Sequence, residues 1–283
     1  MKKNYIISSL LIVSAIITLN SCKKKTEIDN ESQSVVDNAI CEQQFMAIQP
    51  VVSEKGINEA GIKRTNGLET WTILGAISGT NTPNVASDTV VDANGFYQNG
   101  PVTFQLTYST GFVANDGTLK TGSLNITTAK RWSVLNNQLT IDLVNYKVNN
   151  VTYSGQIKIS RPNALTISCE VINGHCTNGS WNIDYIGTKT LTQIGGQNTP
   201  NNEADDIVSI TGSSSGKNRE GRSFSSSITN PLIKKSSCKF ITSGSLDLTP
   251  DGFKTRTVDF GSGACDDDAT YTVNGQTVSF KLK

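Results

Sequence analysis

From Leu68 to the C-terminus the chain is written in short alternating runs of Thr, Val, Ile, Tyr and Phe, punctuated by Gly, Asn and Pro. Successive side chains on a strand point to opposite faces, so this alternation predicts antiparallel β-structure with one face buried and the other wetted. The expected strands are Phe104 to Ser109, Thr118 to Thr128, Gln138 to Val144, Val151 to Ile159, Leu165 to Val171, Ser180 to Ile186, Lys239 to Leu248 and Lys254 to Phe260. A C-terminal hairpin follows, its arms Thr270 to Val273 and Gln276 to Phe280 joined by Asn274-Gly275, a dipeptide that supplies the positive φ a type I′ turn needs at both central positions. That turn places Tyr271 opposite Val278 and Ala269 opposite Phe280, which gathers the apolar residues on one face. The fold class is therefore all-β, either a sandwich or a large curved meander, with one short N-terminal helix.

The helix is expected from Val35, Val36, Ala39 and Ile40, which recur at helical spacing, with Phe45 and Ala47 beyond and Pro50 as a stop; its length is about 15 residues. Upstream, Lys2 and Lys3 precede an apolar run from Tyr5 to Leu19. That run falls short of the about 20 residues that span a bilayer and reads as a signal peptide. It ends in Leu19-Asn20-Ser21-Cys22, which resembles the lipobox cut by lipoprotein signal peptidase. Cleavage before Cys22 implies lipid on that cysteine, and two or three acyl chains give stable anchoring. Loss of residues 1–21 removes two of the 25 basic residues, leaving 23 against 24 acidic ones. A net charge of −1 gives no electrostatic footprint for nucleic acid.

The expected organisation is a leader over 1–21, a polar tether over 22–34, helix and linker over 35–67, and two β-halves over 68–186 and 187–283. The halves rest on three echoes. Asn81-Thr82-Pro83-Asn84 recurs at Asn198-Thr199-Pro200-Asn201. Thr121-Gly122-Ser123-Leu124-Asn125-Ile126-Thr127 is echoed by Ser243-Gly244-Ser245-Leu246-Asp247-Leu248-Thr249, and Tyr146-Lys147-Val148-Asn149-Asn150 by Tyr271-Thr272-Val273-Asn274-Gly275. They point to an internal duplication.

Five cysteines remain beside Cys22: Cys41, Cys169, Cys176, Cys238 and Cys265. An exported chain meets conditions in which disulfides form. A bend at Pro250-Asp251 brings Cys238 nearly opposite Cys265, and a bond there closes a loop of about 28 residues, worth roughly 3–4 kcal/mol in the chain-entropy model. Cys169 and Cys176 bracket Asn173-Gly174 and form a second candidate pair if the loop between them holds four residues. Cys41 has no evident partner.

Candidate chemistry is sparse. The one histidine, His175, is expected in a hairpin turn at Asn173-Gly174; with Cys169 and Cys176 it falls short of a four-ligand zinc pattern. Asp266, Asp267 and Asp268 offer hard oxygen ligands to calcium but lack EF-hand spacing, so the expected cofactor is none, with calcium the alternative. Gly212 to Lys217 lacks the order of a phosphate loop and reads as a flexible surface loop. Trp71, Trp132 and Trp181 are candidates for a sugar-stacking platform or for packing. Asp88-Thr89-Val90 looks like a short Bacteroidetes O-glycosylation sequon, with Thr89 as acceptor.

Three stretches carry a resemblance. Asp37-Asn38-Ala39-Ile40-Cys41-Glu42, the Tyr146 to Asn150 segment with Gly155, and Val258-Asp259-Phe260-Gly261-Ser262-Gly263-Ala264-Cys265-Asp266-Asp267-Asp268-Ala269 together are similar to outer-membrane lipoproteins of the Bacteroidetes. The resemblance implies a cell-envelope lipoprotein and carries over no catalytic residue. Lys23, Lys24 and Lys25 stand where surface-displayed members bear acids, which favours the periplasmic face over the cell surface. The expected role is binding or structural, toward a glycan or an envelope protein, with the membrane engaged through lipid on Cys22. A glycan-active hydrolase working through two carboxylates, or a carbohydrate-binding module, are the alternatives.

Overall fold

The computed structural model describes residues 29–48, 69–74, 101–114, 117–129, 134–199 and 203–282. Cys22, Thr89, Trp132 and the Asn81 to Asn84 echo lie outside them. The described residues form one helix, α1 (Gln33–Met46), and one antiparallel sheet. Its strands are β1 (Glu69–Leu74), β2 (Val102–Val113), β3 (Leu119–Thr128), β4 (Gln138–Val148), β5 (Val151–Asn163), β6 (Thr166–Thr177) and β7 (Asn182–Gly195). The sheet continues with β8 (Ile207–Lys217), β9 (Ser223–Lys235), β10 (Ile241–Pro250), β11 (Arg256–Ser262), β12 (Asp268–Val273) and β13 (Gln276–Lys281). Every strand pairs with its sequence neighbours, so the order in space is the order in the chain. The fold is the curved meander rather than the sandwich.

Alternation works as expected where it is strongest. In β4, Leu139, Ile141, Leu143, Tyr146 and Val148 are buried. The same face continues through Leu124 and Ile126 on β3, Ile157 and Ile159 on β5, and Leu246 and Leu248 on β10. Together with Val35, Cys41 and Phe45 of the helix they make one contiguous core. The C-terminal hairpin has the expected register, with Ala269 facing Phe280 and Tyr271 facing Val278 around Asn274 at φ 53° and Gly275 at φ 75°.

A band of bulges bends this sheet. Register slips on β3–β4 at Thr121/Ser123, on β4–β5 between Asp142 and Tyr146, on β5–β6 between Ser154 and Gln156, and on β6–β7 between Val171 and Gly174. Bulges bend a strand and increase its local twist. Gly122, at φ 88°, is the clearest case: a Cβ there would stand 2.2 Å from the Asn145 carbonyl oxygen. At Gly174 a Cβ would meet Tyr185 O at 2.6 Å and the Phe45 ring at 2.9 Å, so the absent side chain is what lets the helix come close.

Several local expectations change. Asn173-Gly174 is not a hairpin turn but the bulge inside β6, with Asn173 at φ 49°. Cys169 and Cys176 therefore lie on one strand, and both are free thiols rather than a disulfide. The bend between β10 and β11 is wider than a Pro250-Asp251 turn, since Leu248 faces Arg256. The stretch Gly212 to Lys217 is half of β8 rather than a loop, and β9 was not expected at all. The boundary at 186/187 falls within β7, which pairs on both sides, so the sheet crosses it unbroken. The second echo lies on β3 and β10, where Gly122 and Gly244 both have positive φ at a bulge. The copies of the third lie at the end of β4 and at the end of β12, each with the turn that follows.

Bulge geometry predicts a contrast between two glycines of positive φ. Gly122→Ala should cost about 2–4 kcal/mol in urea denaturation, because strain and backbone collision add. Gly252→Ala, at φ 78° with open space around its Cβ, should cost only about 1–2 kcal/mol. Equal losses would mean that the β3–β4 contact is not tight.

Candidate functional site

The helix has the expected place but not the expected face. Ser34, Val35, Asp37, Asn38, Cys41 and Phe45 are its buried residues, so polar and apolar groups enter the core side by side. None of its residues is fully exposed. Burying a charge without a partner costs several kcal/mol, so each buried acid requires a compensating group. The segment 29–48 contains four acids, Asp29, Glu31, Asp37 and Glu42, and no Lys or Arg. The sheet answers with Lys189 from β7, Arg219 from the β8–β9 turn and Arg256 from β11.

Arg256 is the most deeply placed of these cations, with none of its side chain exposed. Its guanidinium pairs with the Asp29 carboxylate, and its Nε donates to the Glu31 carbonyl at 2.7 Å. Glu31 Oε2 lies 3.4 Å from the same guanidinium, close enough for charge pairing though not for a hydrogen bond. The other Glu31 oxygen accepts from the Ser34 amide at 2.8 Å, which supplies the helix with the cap that its N-cap residue Ser32 does not make. Asp29 and Glu31 were expected in a free polar tether; they are docked instead.

Asp37 is the second seat. One carboxylate oxygen accepts from Arg219 Nε at 2.8 Å and from Gln33 at 2.9 Å, and the other accepts from the Arg219 amide at 2.8 Å. Arg219 also lies over the Trp181 ring, 4.5 Å from its centroid, so Trp181 packs against a cation at the helix seat. Asn218, buried beside it, donates to Ser34 Oγ at 3.0 Å and closes its own turn by accepting from the Glu220 and Arg222 amides.

Glu42 makes the third seat. Lys189 Nζ lies 2.7 Å from Glu42 Oε1, off the hydrogen-bonding direction, and Ser214 Oγ lies 3.0 Å from the same oxygen. Ser214 also stands 2.9 Å from Asn38 Oδ1 and 2.6 Å from Ser226 Oγ of β9. Tyr185 lies in the same cluster; burial first and the Glu42 charge second push its phenol well above the ordinary range. Aromatic packing continues outward, with Phe45 stacked on Tyr185 at 5.5 Å and edge-on to Tyr153 at 5.9 Å.

Beneath the third seat two thiols meet. Cys41 Sγ on the helix is 3.4 Å from Cys176 Sγ on β6, and neither residue is exposed. The hydrogen bond to Cys176, burial, and the negative charges of Asp37 and Glu42 all push the Cys41 thiol up. Cys169 is held apart on β6, and burial pushes its thiol up to about 12.

The other candidates are scattered. Cys238 and Cys265 form the expected disulfide, 5.7 Å apart at Cα, where β10 and β11 diverge. His175 is in β6 rather than at a turn; its Nδ1 lies 2.8 Å from Asp184 Oδ1 on β7, and both are exposed. Asp267 and Asp268 are paired with Lys281 at 2.5 and 2.8 Å, while Asp266 accepts from the Asp268 amide at 3.0 Å. Hydrogen bonding to Lys281 is the main reason that the Asp267 carboxyl lies below its usual range. Among the described residues no group of three or more His, Cys, Asp or Glu side chains is placed to hold a metal. Trp71 lies on β1, the first strand of the sheet order, six strands from β7.

Sequence reasoning missed Lys189, Ser214, Arg219 and Arg256. The acids Asp37 and Glu42 on one short helix, with Asp29 and Glu31 just before it and no Lys or Arg among them, were the available signal, since a segment that buries acids implies cations facing it. Comparison with family models, curated proteins and solved structures found no match.

Removing one partner of a buried pair exposes its cost. Arg256→Met should lower unfolding free energy by roughly 3–5 kcal/mol, because Asp29 and Glu31 stay buried without their cation. Lys281→Met, on the exposed Asp267 pair, should leave the urea midpoint close to that of wild type, since solvent screens the pair. Urea denaturation of the two variants compares them directly.

Proposed function

We propose that the protein is an outer-membrane lipoprotein, held by lipid on Cys22 with its folded part on the periplasmic face, and that this part serves a binding or structural role rather than a catalytic one. The observation that carries the reading is where the tether ends. Asp29, seven residues past Cys22, is already paired with the buried guanidinium of Arg256. Seven residue steps reach at most about 25 Å, so the sheet is held close to the bilayer by a chain that enters its core. A load on the anchor then falls on three buried ion pairs distributed over β7, the β8–β9 turn and β11.

The disposition of ionisable groups supports a non-catalytic role. All four acids of the docked segment and the three cations opposite them are engaged in joining helix to sheet. Such pairs hold an element in one register. Position and attachment, rather than bond-making, is what this arrangement delivers.

The test is fractionation of the full chain expressed in a Gram-negative host with labelled fatty acid. Wild type is expected in the outer-membrane fraction carrying label, resistant to external protease in intact cells. Cys22→Ala should lose the label and leave the outer-membrane fraction. An unlabelled wild type, or a Cys22→Ala variant that remains equally membrane-bound, would sink the proposal.

A further inference from the structure

The free thiols of Cys41 and Cys176 are placed as a pair that the rest of the site does not account for. They come from elements 135 positions apart in the chain, the helix and the bulged end of β6, yet their sulfurs lie 3.4 Å from each other. Both side chains are wholly buried. The bulge at Asn173-Gly174 sets this contact: it admits Phe45 beside Gly174 and turns Cys176, two residues on, toward the helix. On the other side the helix is fixed by Asp37 to Arg219 and Glu42 to Lys189, so Cys41 is positioned between two ion-pair seats.

We propose that Cys41 and Cys176 are joined in the mature protein as a second disulfide, one that locks the helix into the sheet. The closure required is about 1.4 Å at the sulfurs, given an S–S bond near 2.05 Å. The same chain already pairs Cys238 with Cys265, and structural disulfides belong to oxidising compartments. The bond forms by thiol–disulfide exchange during folding. A disulfide-bearing oxidant R–S–S–R first captures one thiol as Cys41–S–S–R, releasing R–SH. The Cys176 thiolate then attacks the Cys41 sulfur, the mixed S–S bond breaks, and a second R–SH leaves. Two electrons pass from the cysteines to the oxidant, and their two protons end on the two R–SH molecules. Once the helix is seated, burial excludes the oxidant and disfavours the thiolate, so the exchange precedes complete docking.

The consequence deepens the proposed role and rests on the export reading. Among the described residues the helix segment is otherwise fastened across to the sheet by ion pairs and packing; a Cys41–Cys176 bond adds a covalent cross-link from the helix to β6, so that a load on the anchor reaches the sheet without passing along residues 49–68. It also leaves Cys169 as the single free thiol of the five non-lipidated cysteines.

Thiol mapping of the full chain purified from the membranes of a Gram-negative host tests this. The protein is denatured without reductant, alkylated with N-ethylmaleimide, digested and analysed by mass spectrometry. The expected result is a linked peptide pair containing Cys41 and Cys176, a second containing Cys238 and Cys265, and alkylation at Cys169 alone. Alkylated Cys41 and Cys176 beside an intact Cys238–Cys265 bond overturns the proposal while leaving export standing. Alkylation at all five overturns it together with the export reading. A second measurement uses the Cys238→Ala, Cys265→Ala background, in which reductant should lower Tm by roughly 10–20 °C given the length of the closed loop. Adding Cys41→Ala should abolish that response; a Tm insensitive to reductant in the parent background overturns the proposal.

Discussion

The structure depends on charge compensation between an acidic helix and a sheet that supplies the cations. Arg256, Arg219 and Lys189 reach the helix segment from three separate parts of the second half of the meander, and each meets a carboxylate there. Isolated, any of these charges would cost several kcal/mol to bury. Paired, they specify one register of the helix, because a slide by one turn would leave acids facing apolar side chains and cations without partners. The apolar contacts of Val35 and Phe45 contribute area without that selectivity.

That arrangement is available only because the sheet is bent. A flat meander of long strands presents one broad face, too shallow to surround a helix of 14 residues. The band of bulges from β3 to β7 curves the sheet, and the helix with the residues just before it contacts strands within the band and beyond it, from Tyr153 on β5 to Arg256 on β11. Glycine at 122 and 174 and asparagine at 145 and 173 are the chemical means, since they supply the positive φ or the open Cβ position that the close strand approaches demand. The Ser-rich faces of β8 and β9 follow from the same geometry. Ser214 is small and polar because it faces the Glu42 carboxylate and the Asn38 amide of the helix rather than a hydrocarbon layer, and Ser226 is hydrogen-bonded to Ser214 behind it.

This explains which parts of the fold were legible in the sequence. Strands β4, β5, β10, β12 and β13 announce themselves by alternation, and the Asn274-Gly275 register and the Cys238–Cys265 bond follow from short-range geometry. Strands β8 and β9 do not, because serine has no strand signature and their inward face interrupts Ile210, Phe224 and Leu232 with Ser214 and Ser226. Asn173-Gly174 carries the same dipeptide as the true hairpin turn at Asn274-Gly275 but sits in an interior strand. The dipeptide records positive φ, and positive φ serves a bulge as well as a turn.

The sequence by itself determined the β-class, the presence of the helix, the hairpin register and the pairing of Cys238 with Cys265, because each depends on residues near one another in the chain and leaves a period or a spacing. Only the tertiary structure decided that the sheet is one curved meander, that Asp29 and Glu31 belong to Arg256 at the opposite end of the chain, and that Cys41 meets Cys176. Those partners are separated by 135 to 227 positions. Nothing periodic connects residues so far apart; their meeting is fixed by the bend of the sheet and by the need of each buried charge for its counterpart.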